Sequence, residues 1–393
     1  MSNKRHTCIV LALTCAMGWA TAPAGAAELL VGNIISVTGP AAFYGLPMNQ
    51  AVQLAVEEVN AAGGIKAGGQ AYTIKLLTGD DQANPTVGVA ALKKMIGDGA
   101  RYIIGPVVAG VAPALKPIIE SNSSVTLIVD GTTAENIPNG KNIFRHQALV
   151  ESYNAGVVEL VKARGYKTVA LVTDRFHSGL MNSEKWLVDT LDTQGIKIAA
   201  KEYYKLNDTD FSAQLTNVNA KAPAAIVLRG WPNETALATK QLRQLGYKGQ
   251  IVWDAPAPPD TVRKNISNAE MEGVVNIYVP TIDEYVKAKN PAAMRLAEAF
   301  KKKFGTEAGL LSPLSYDAVY LLKAAIEKAG SIDNAKVNAA LASMKMSEIP
   351  GMINDFRPRA GGMLYDNTGQ VDLPAKAYVW KGGDWTPLAP TGK

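Results

Sequence analysis

From residue 28 onward, short runs of consecutive apolar residues alternate with longer stretches in which apolar residues recur every three or four positions. Unbroken runs suit strands buried on both faces, and the three-to-four spacing suits helices covering them, so the pattern predicts parallel sheets in α/β layers. Leu29–Val37, Tyr72–Leu77, Arg101–Ile104 and Val125–Val129 read as strands. Between them Met48–Ala62, Pro85–Ile96 and Ala112–Glu120 read as helices. A second series repeats the rhythm, with strands Thr168–Val172, Ile196–Tyr204, Ala224–Leu228 and Gln250–Trp253. Its helices are Ser152–Ala163, Met181–Asp192, Phe211–Ala220 and Glu234–Leu245. Two βα series of similar size predict two doubly wound lobes. Past residue 280 the pattern turns helical, with Met294–Phe304, Tyr316–Ala329 and Asn334–Ser343. Helices alone build no third sheet, so they are expected to pack on the first lobe. Met363-Leu364-Tyr365 and Tyr378-Val379-Trp380 read as a terminal β-ribbon.

Residues 1–27 follow a different rule. Lys4, Arg5 and His6 precede an apolar stretch from Ile9 to Trp19, and Ala24-Gly25-Ala26 supplies small residues for cleavage. That is the layout of an export signal, too short for a membrane span of about 20 apolar residues. Both cysteines, Cys8 and Cys15, fall inside it, so the mature chain is expected to have neither disulfide nor thiolate ligand. Leu13-Thr14 before Cys15 is a poor lipidation context. Loss of Lys4 and Arg5 takes the net charge from +5 to +3, spread along the chain. A dispersed surplus of that size predicts no nucleic-acid partner, and the signal predicts an exported protein.

No nucleotide loop, nucleophile elbow or zinc-protease motif occurs, and only His146 and His177 remain beyond the signal, so no enzyme, cofactor or metal is predicted. Attention therefore falls on the carboxyl ends of the strands, where open parallel sheets bind ligands. The first series carries Thr38 to Gly45, Gly105 to Gly110 and Asp130 to Thr133 there. The second carries Asp174 to Ser178, Arg229-Gly230-Trp231 and Asp254. Aromatic walls, hydroxyls, helix N-termini and one cation fit a small, partly apolar anion. Asp80-Asp81 also ends a strand, and reads either as a turn or cap or as a ligand contact.

At these residues the sequence resembles the periplasmic leucine/isoleucine/valine-binding proteins, the type I solute receptors of ABC importers. The resemblance spans nearly all of the mature chain. It is carried by Thr38-Gly39-Pro40 with Tyr44-Gly45, Val59-Asn60-Ala61-Ala62-Gly63-Gly64-Ile65, Tyr102-Ile103-Ile104-Gly105-Pro106 and Asp210-Phe211-Ser212. It implies two doubly wound parallel-sheet lobes joined by three crossover strands. The implied division is residues 28–146 with 281–355 for the first lobe, and 147–280 with 356–393 for the second. It also implies a hinge that closes on a small amino acid or organic acid, and delivery to a membrane permease. A ligand sensor of the same fold and an exported enzyme with a two-lobed cleft are the alternatives.

Carried over residue by residue, the resemblance gives Tyr44 as an aromatic wall and Gly131, Thr132 and Thr133 as the head-group loop. Val108 and Ala109 stand where the family has a serine, and His177 and Trp231 lie near two tyrosine positions. The first-lobe disulfide positions read Ala83 and Val107. The family's ammonium-binding glutamate is missing: Asp254 comes slightly early, and Pro256 and Ala257 occupy its place. Either Asp254 or Asp130 replaces it, or the ligand has no α-amino group. Arg229 bears on that choice. In the cleft it favours an organic, even aromatic, carboxylate; turned outward it pairs with Glu234.

Overall fold

The computed structural model describes residues 26–254, 257–349 and 351–388. The export signal and both cysteines, apart from Ala26 and Ala27, lie outside the described residues, as does Pro256. In chain order the first part comprises β1 (Ala27–Ile35), α1 (Ala42–Ala61), β2 (Ile65–Ala67), β3 (Gln70–Asp80) and α2 (Pro85–Gly97). It continues with β4 (Tyr102–Ile104), α3 (Ala112–Glu120), β5 (Thr126–Val129) and β6 (Ile143–Arg145). The second part begins with α4 (Val150–Ala163), β7 (Thr168–Asp174), α5 (Ser178–Thr193), β8 (Lys197–Tyr204) and α6 (Ser212–Ala220). Then come β9 (Ala225–Arg229), α7 (Pro232–Gln244), β10 (Gln250–Trp253), α8 (Pro259–Asn265), α9 (Asn268–Met271) and β11 (Val275–Tyr278). Helices α10 (Ile282–Lys287), α11 (Pro291–Phe304), α12 (Ser312–Ala329) and α13 (Asn334–Ala342) precede the hairpin β12 (Lys376–Lys381) and β13 (Asp384–Pro387).

These strands make two sheets. One has the order β2-β3-β1-β4-β5-β6, the other β13-β12-β11-β10-β9-β7-β8. All pairings are parallel except β2 with β3, β11 with β12 and β12 with β13. Strands β4, β5, β6, β9 and β11 are buried at every position, which explains their mainly apolar runs, broken only by Thr126, Arg145, Arg229 and Asn276. The chain leaves the first sheet after β6 and leaves the second after β11, where α12 packs on α1 and β2. It then returns to the second sheet with β12. Three passages between two doubly wound lobes define the type I binding-protein fold.

Local chemistry sets many of the helix boundaries. Asn84 and Asn290 cap α2 and α11, each followed by Pro at the first helical position, where its missing N–H costs nothing. Gly305 and Gly330 close α11 and α12 in the left-handed conformation. Two expectations need correction. Helix α1 starts at Ala42, six residues before the predicted start, and carries Pro47 inside it; Phe43 and Tyr44 are therefore held on a helix rather than a loop. The terminal ribbon pairs β12 with β13 across Gly382-Gly383, both at positive φ, as a two-residue hairpin turn requires. Met363 makes only an isolated bridge to Lys345.

The passage after β6 is unusually polar for buried chain. The Arg145 guanidinium donates to Gln370 and to the Ala134 carbonyl. Asp317 on α12 accepts from both backbone N–H groups of Ile353 and Asn354, at 2.8 and 2.9 Å, fastening the returning chain. His146 lies fully buried, its ring 4.5 Å from that of Phe356, and neither nitrogen has a hydrogen-bond partner among the described residues. Burial pushes its pKa down to about 3. The unfolded chain takes up a proton near pH 6.5, which the folded chain refuses until about pH 3, so His146 contributes stability above pH 6.5 that is lost as pH falls toward 3. Burial raises Asp130 to about 6 and Asp317 to about 7, and these act oppositely, losing stability as pH rises. His146→Phe should therefore move the acid midpoint of unfolding, followed by tryptophan fluorescence, to lower pH; an unchanged midpoint would mean the ring titrates alike in both states.

Candidate functional site

The carboxyl ends of both sheets face one pocket of about 70 Å³. From the first lobe come Tyr44, Val107, Ala109 and Gly131 to Thr133, with Leu311 ahead of α12. From the second come His177, Gly230, Trp231 and Asp254, joined by Val150, Tyr153 and Leu180 from α4 and α5. Gln147 lies on the passage between the lobes. Two glycines permit this convergence. A Cβ on Gly131 would sit 2.7 Å from the Val107 Cα, and one on Gly230 would run into the Tyr204 hydroxyl.

Aromatic rings close the pocket from both sides. Phe43 and Tyr44 pack as a tilted pair with centroids 4.1 Å apart, and each lies 6.1 Å from Trp231 of the opposite lobe. His177 flanks the same indole at 5.6 Å. Its Nδ1 accepts the Leu180 N–H at 3.3 Å at the start of α5, which leaves the ring proton on Nε2. Burial, aided by Arg229, pushes its pKa down to about 4, so it is neutral at physiological pH. Thr132 Oγ1 accepts from the Ala134 N–H at 3.1 Å and keeps its own O–H to donate. The buried Tyr153 hydroxyl has no partner among the described residues. The walls thus present three neutral donors.

The charged wall is Asp254. Its side chain is wholly buried; Oδ2 accepts from Arg229 Nε at 3.0 Å, while Oδ1 has no partner among the described residues. Burial raises its pKa and Arg229 opposes the rise. Arg229 is also wholly buried, with Nη2 donating to Asn154 at 2.9 Å and Nη1 4.0 Å from Glu184. Glu184 in turn holds Lys201 at 3.3 Å and the Tyr203 hydroxyl at 2.7 Å. This network lies behind the pocket wall.

Of the predicted residues, Tyr44, Ala109, Gly131, Thr132, Thr133, His177, Trp231 and Asp254 meet in this pocket. Val108 lines the outer mouth of the cleft instead. Arg229 lines neither cavity: it points neither into the cleft nor outward toward Glu234, because it is the last residue of β9 and projects into the helix layer rather than beyond the strand end. Asp130 turns away from the pocket to accept from Ser315 on α12 at 2.5 Å. Asp80 and Asp81 also stand apart and tie down the loop after β1, Asp80 accepting from the Val37 N–H at 3.0 Å and Asp81 from Ser36. Gln147, Val150, Tyr153, Leu180 and Leu311 join the site without having been predicted.

Residues 28–382 match the family described as periplasmic binding protein, and the chain belongs to that family. The Leu/Ile/Val-binding protein BraC3 of Rhizobium johnstonii is 29% identical over 385 residues, covering 95% of this chain and 97% of its own. Among solved structures, a leucine binding protein, LivK, from Thermotoga maritima superposes with a TM-score of 0.77 at 26% identity, covering 92% of this chain and 98% of its own. A solute binding protein of an ABC transporter from R. palustris, in complex with benzoate, gives a TM-score of 0.73 at 18% identity over 92% of this chain and 95% of its own. No helix among the described residues is long and apolar enough to cross a membrane.

Proposed function

We propose that this protein is the extracytoplasmic solute receptor of a branched-chain amino-acid type ABC importer, held in the periplasm, that closes on a small amino acid and delivers it to a membrane permease. The unpartnered, buried Oδ1 of Asp254 in the pocket wall carries this reading. An α-ammonium there meets the free oxygen of a carboxylate whose other oxygen pairs with Arg229, while the neutral donors Thr132, Tyr153 and the His177 Nε2–H suit the α-carboxylate. No Lys or Arg lines the pocket. A bare organic acid such as benzoate would therefore set its charge beside the Asp254 carboxylate, with Arg229 held on the far side of that carboxylate. Isothermal calorimetry separates the two ligand classes: L-leucine or L-alanine should bind and benzoate should not. Benzoate binding tighter than any amino acid tested would replace this reading with an organic-acid receptor.

Closure lowers the free energy only through contacts unavailable to the open form. The Phe43 and Tyr44 contacts with Trp231 join the two lobes and are of that kind. Small-angle scattering should show a smaller radius of gyration once amino acid is added. Unchanged dimensions at saturation would contradict hinge closure.

A further inference from the structure

The pocket shares Ala109, His177 and Trp231 with a neighbouring outer chamber of about 410 Å³, several times its own volume. One water needs roughly 10–15 Å³ on this scale, so the inner pocket holds about five to seven water-sized groups. That suffices for the head group of an amino acid and little more. The rest of any larger ligand must lie in the chamber.

The chamber wall combines two features. Phe43, His177 and Trp231 form a ring cluster, with Phe176 exposed at the rim. Against it stand two buried carboxylates, Asp174 at the end of β7 and Glu234 in the first turn of α7, exposed by only 0% and 4%. Each has one oxygen already occupied. Asp174 Oδ1 accepts the Phe176 N–H and Glu234 Oε1 accepts the Asn207 N–H, both at 2.9 Å. The other oxygen of each, Oδ2 and Oε2, is buried without a partner among the described residues. Neither carboxylate forms an ion pair with another described residue, and Asp208 nearby adds negative charge. The helix N-terminus of α7 favours an acid at Glu234 but does not satisfy Oε2. Two desolvated carboxyls that line the same chamber as the rings, each short of a partner, are costly in their charged forms unless a cation is supplied.

We propose that the outer chamber is a second subsite that accepts a cationic nitrogen at the far end of the ligand's side chain. The solute is then an amino acid with an α-ammonium at Asp254 and a side-chain ammonium or guanidinium held by Asp174, Glu234 and the rings. This deepens the amino-acid reading above and rests on it. The same two acids repel a side-chain carboxylate, so acidic amino acids are rejected.

Calorimetry with L-lysine and its uncharged analogue L-norleucine tests the subsite. The intact protein should prefer lysine by about tenfold or more, and should not bind L-glutamate. The double variant Asp174→Asn/Glu234→Gln should lose that preference while keeping its norleucine affinity, which also shows that it folds. Equal or tighter binding of norleucine by the intact protein overturns the subsite but leaves the amino-acid reading standing. If neither compound binds, and Asp254→Asn changes nothing for any amino acid, the inner-pocket reading fails, and the subsite falls with it.

Discussion

Asp254→Asn is expected to raise the dissociation constant for L-leucine or L-alanine by roughly 10²–10³-fold, the effect of leaving a buried charge without its partner. The wild-type carboxylate is shared: Oδ2 takes the Arg229 Nε–H and Oδ1 is left for the ligand. An asparagine side chain keeps the shape and removes the charge, so an entering ammonium has no carboxylate to pair with at that wall. The pH dependence provides an independent check. Protonated Asp254 cannot pair with an ammonium, so affinity is full above its pKa in the free protein and lost as pH falls through that value. Burial, opposed by Arg229, raises that value from the ordinary aspartate one. In Asp254→Asn this acid limb of the affinity profile should vanish along with most of the affinity. A variant that keeps leucine affinity within about threefold would place the ammonium elsewhere.

The two-lobed architecture was readable because strands buried on both faces advertise themselves as unbroken apolar runs. Elements that stayed hidden lack such a signal. Strand β2 carries the exposed Lys66 at its centre and β6 ends on Arg145, so neither shows the apolar run that marks the equally short β4. In β11 the buried Asn276 interrupts the run at its second position. Most of the pocket was readable for a topological reason, since loops beyond parallel strand ends converge on a cleft whatever their sequence. Tyr153 was not, because on α4 it occupies a buried helical position that nothing in the spacing distinguishes from its core neighbours Val157 and Val161. Arg229 shows the limit most sharply. Its charge suggested a ligand contact, but strand β9 runs through residue 229, so the pleat rather than the loop decides where the guanidinium goes.

That position makes Arg229 a positioning residue for the pocket acid, and the expected cost of losing it is large. Arg229→Met leaves Asp254 buried with no cation and frees Asn154 Oδ1 and Glu184 from a shared donor, although Glu184 retains Lys201. Breaking one side of a buried pair costs about 3–5 kcal/mol against a total stability of roughly 5–15 kcal/mol. Thermal unfolding near pH 8 should fall by roughly 5–15 °C. The sign of the pH effect follows from Asp254. Arg229 holds its pKa down against burial, so without Arg229 the folded-state pKa rises further and the folded carboxyl keeps its proton to higher pH. A raised carboxyl pKa gives stability at low pH that is lost as pH rises, so Arg229→Met should be less impaired at pH 5 than at pH 8. The same shift removes the ammonium's counter-ion at pH values where the wild type binds well. Adding Asp254→Asn should restore part of the lost stability, since a neutral amide needs no cation, yet should restore no binding. That separation of fold from affinity distinguishes a charge held in register from a merely structural contact. Arg229→Met melting within about 2 °C of wild type would show that Asp254 is satisfied without it.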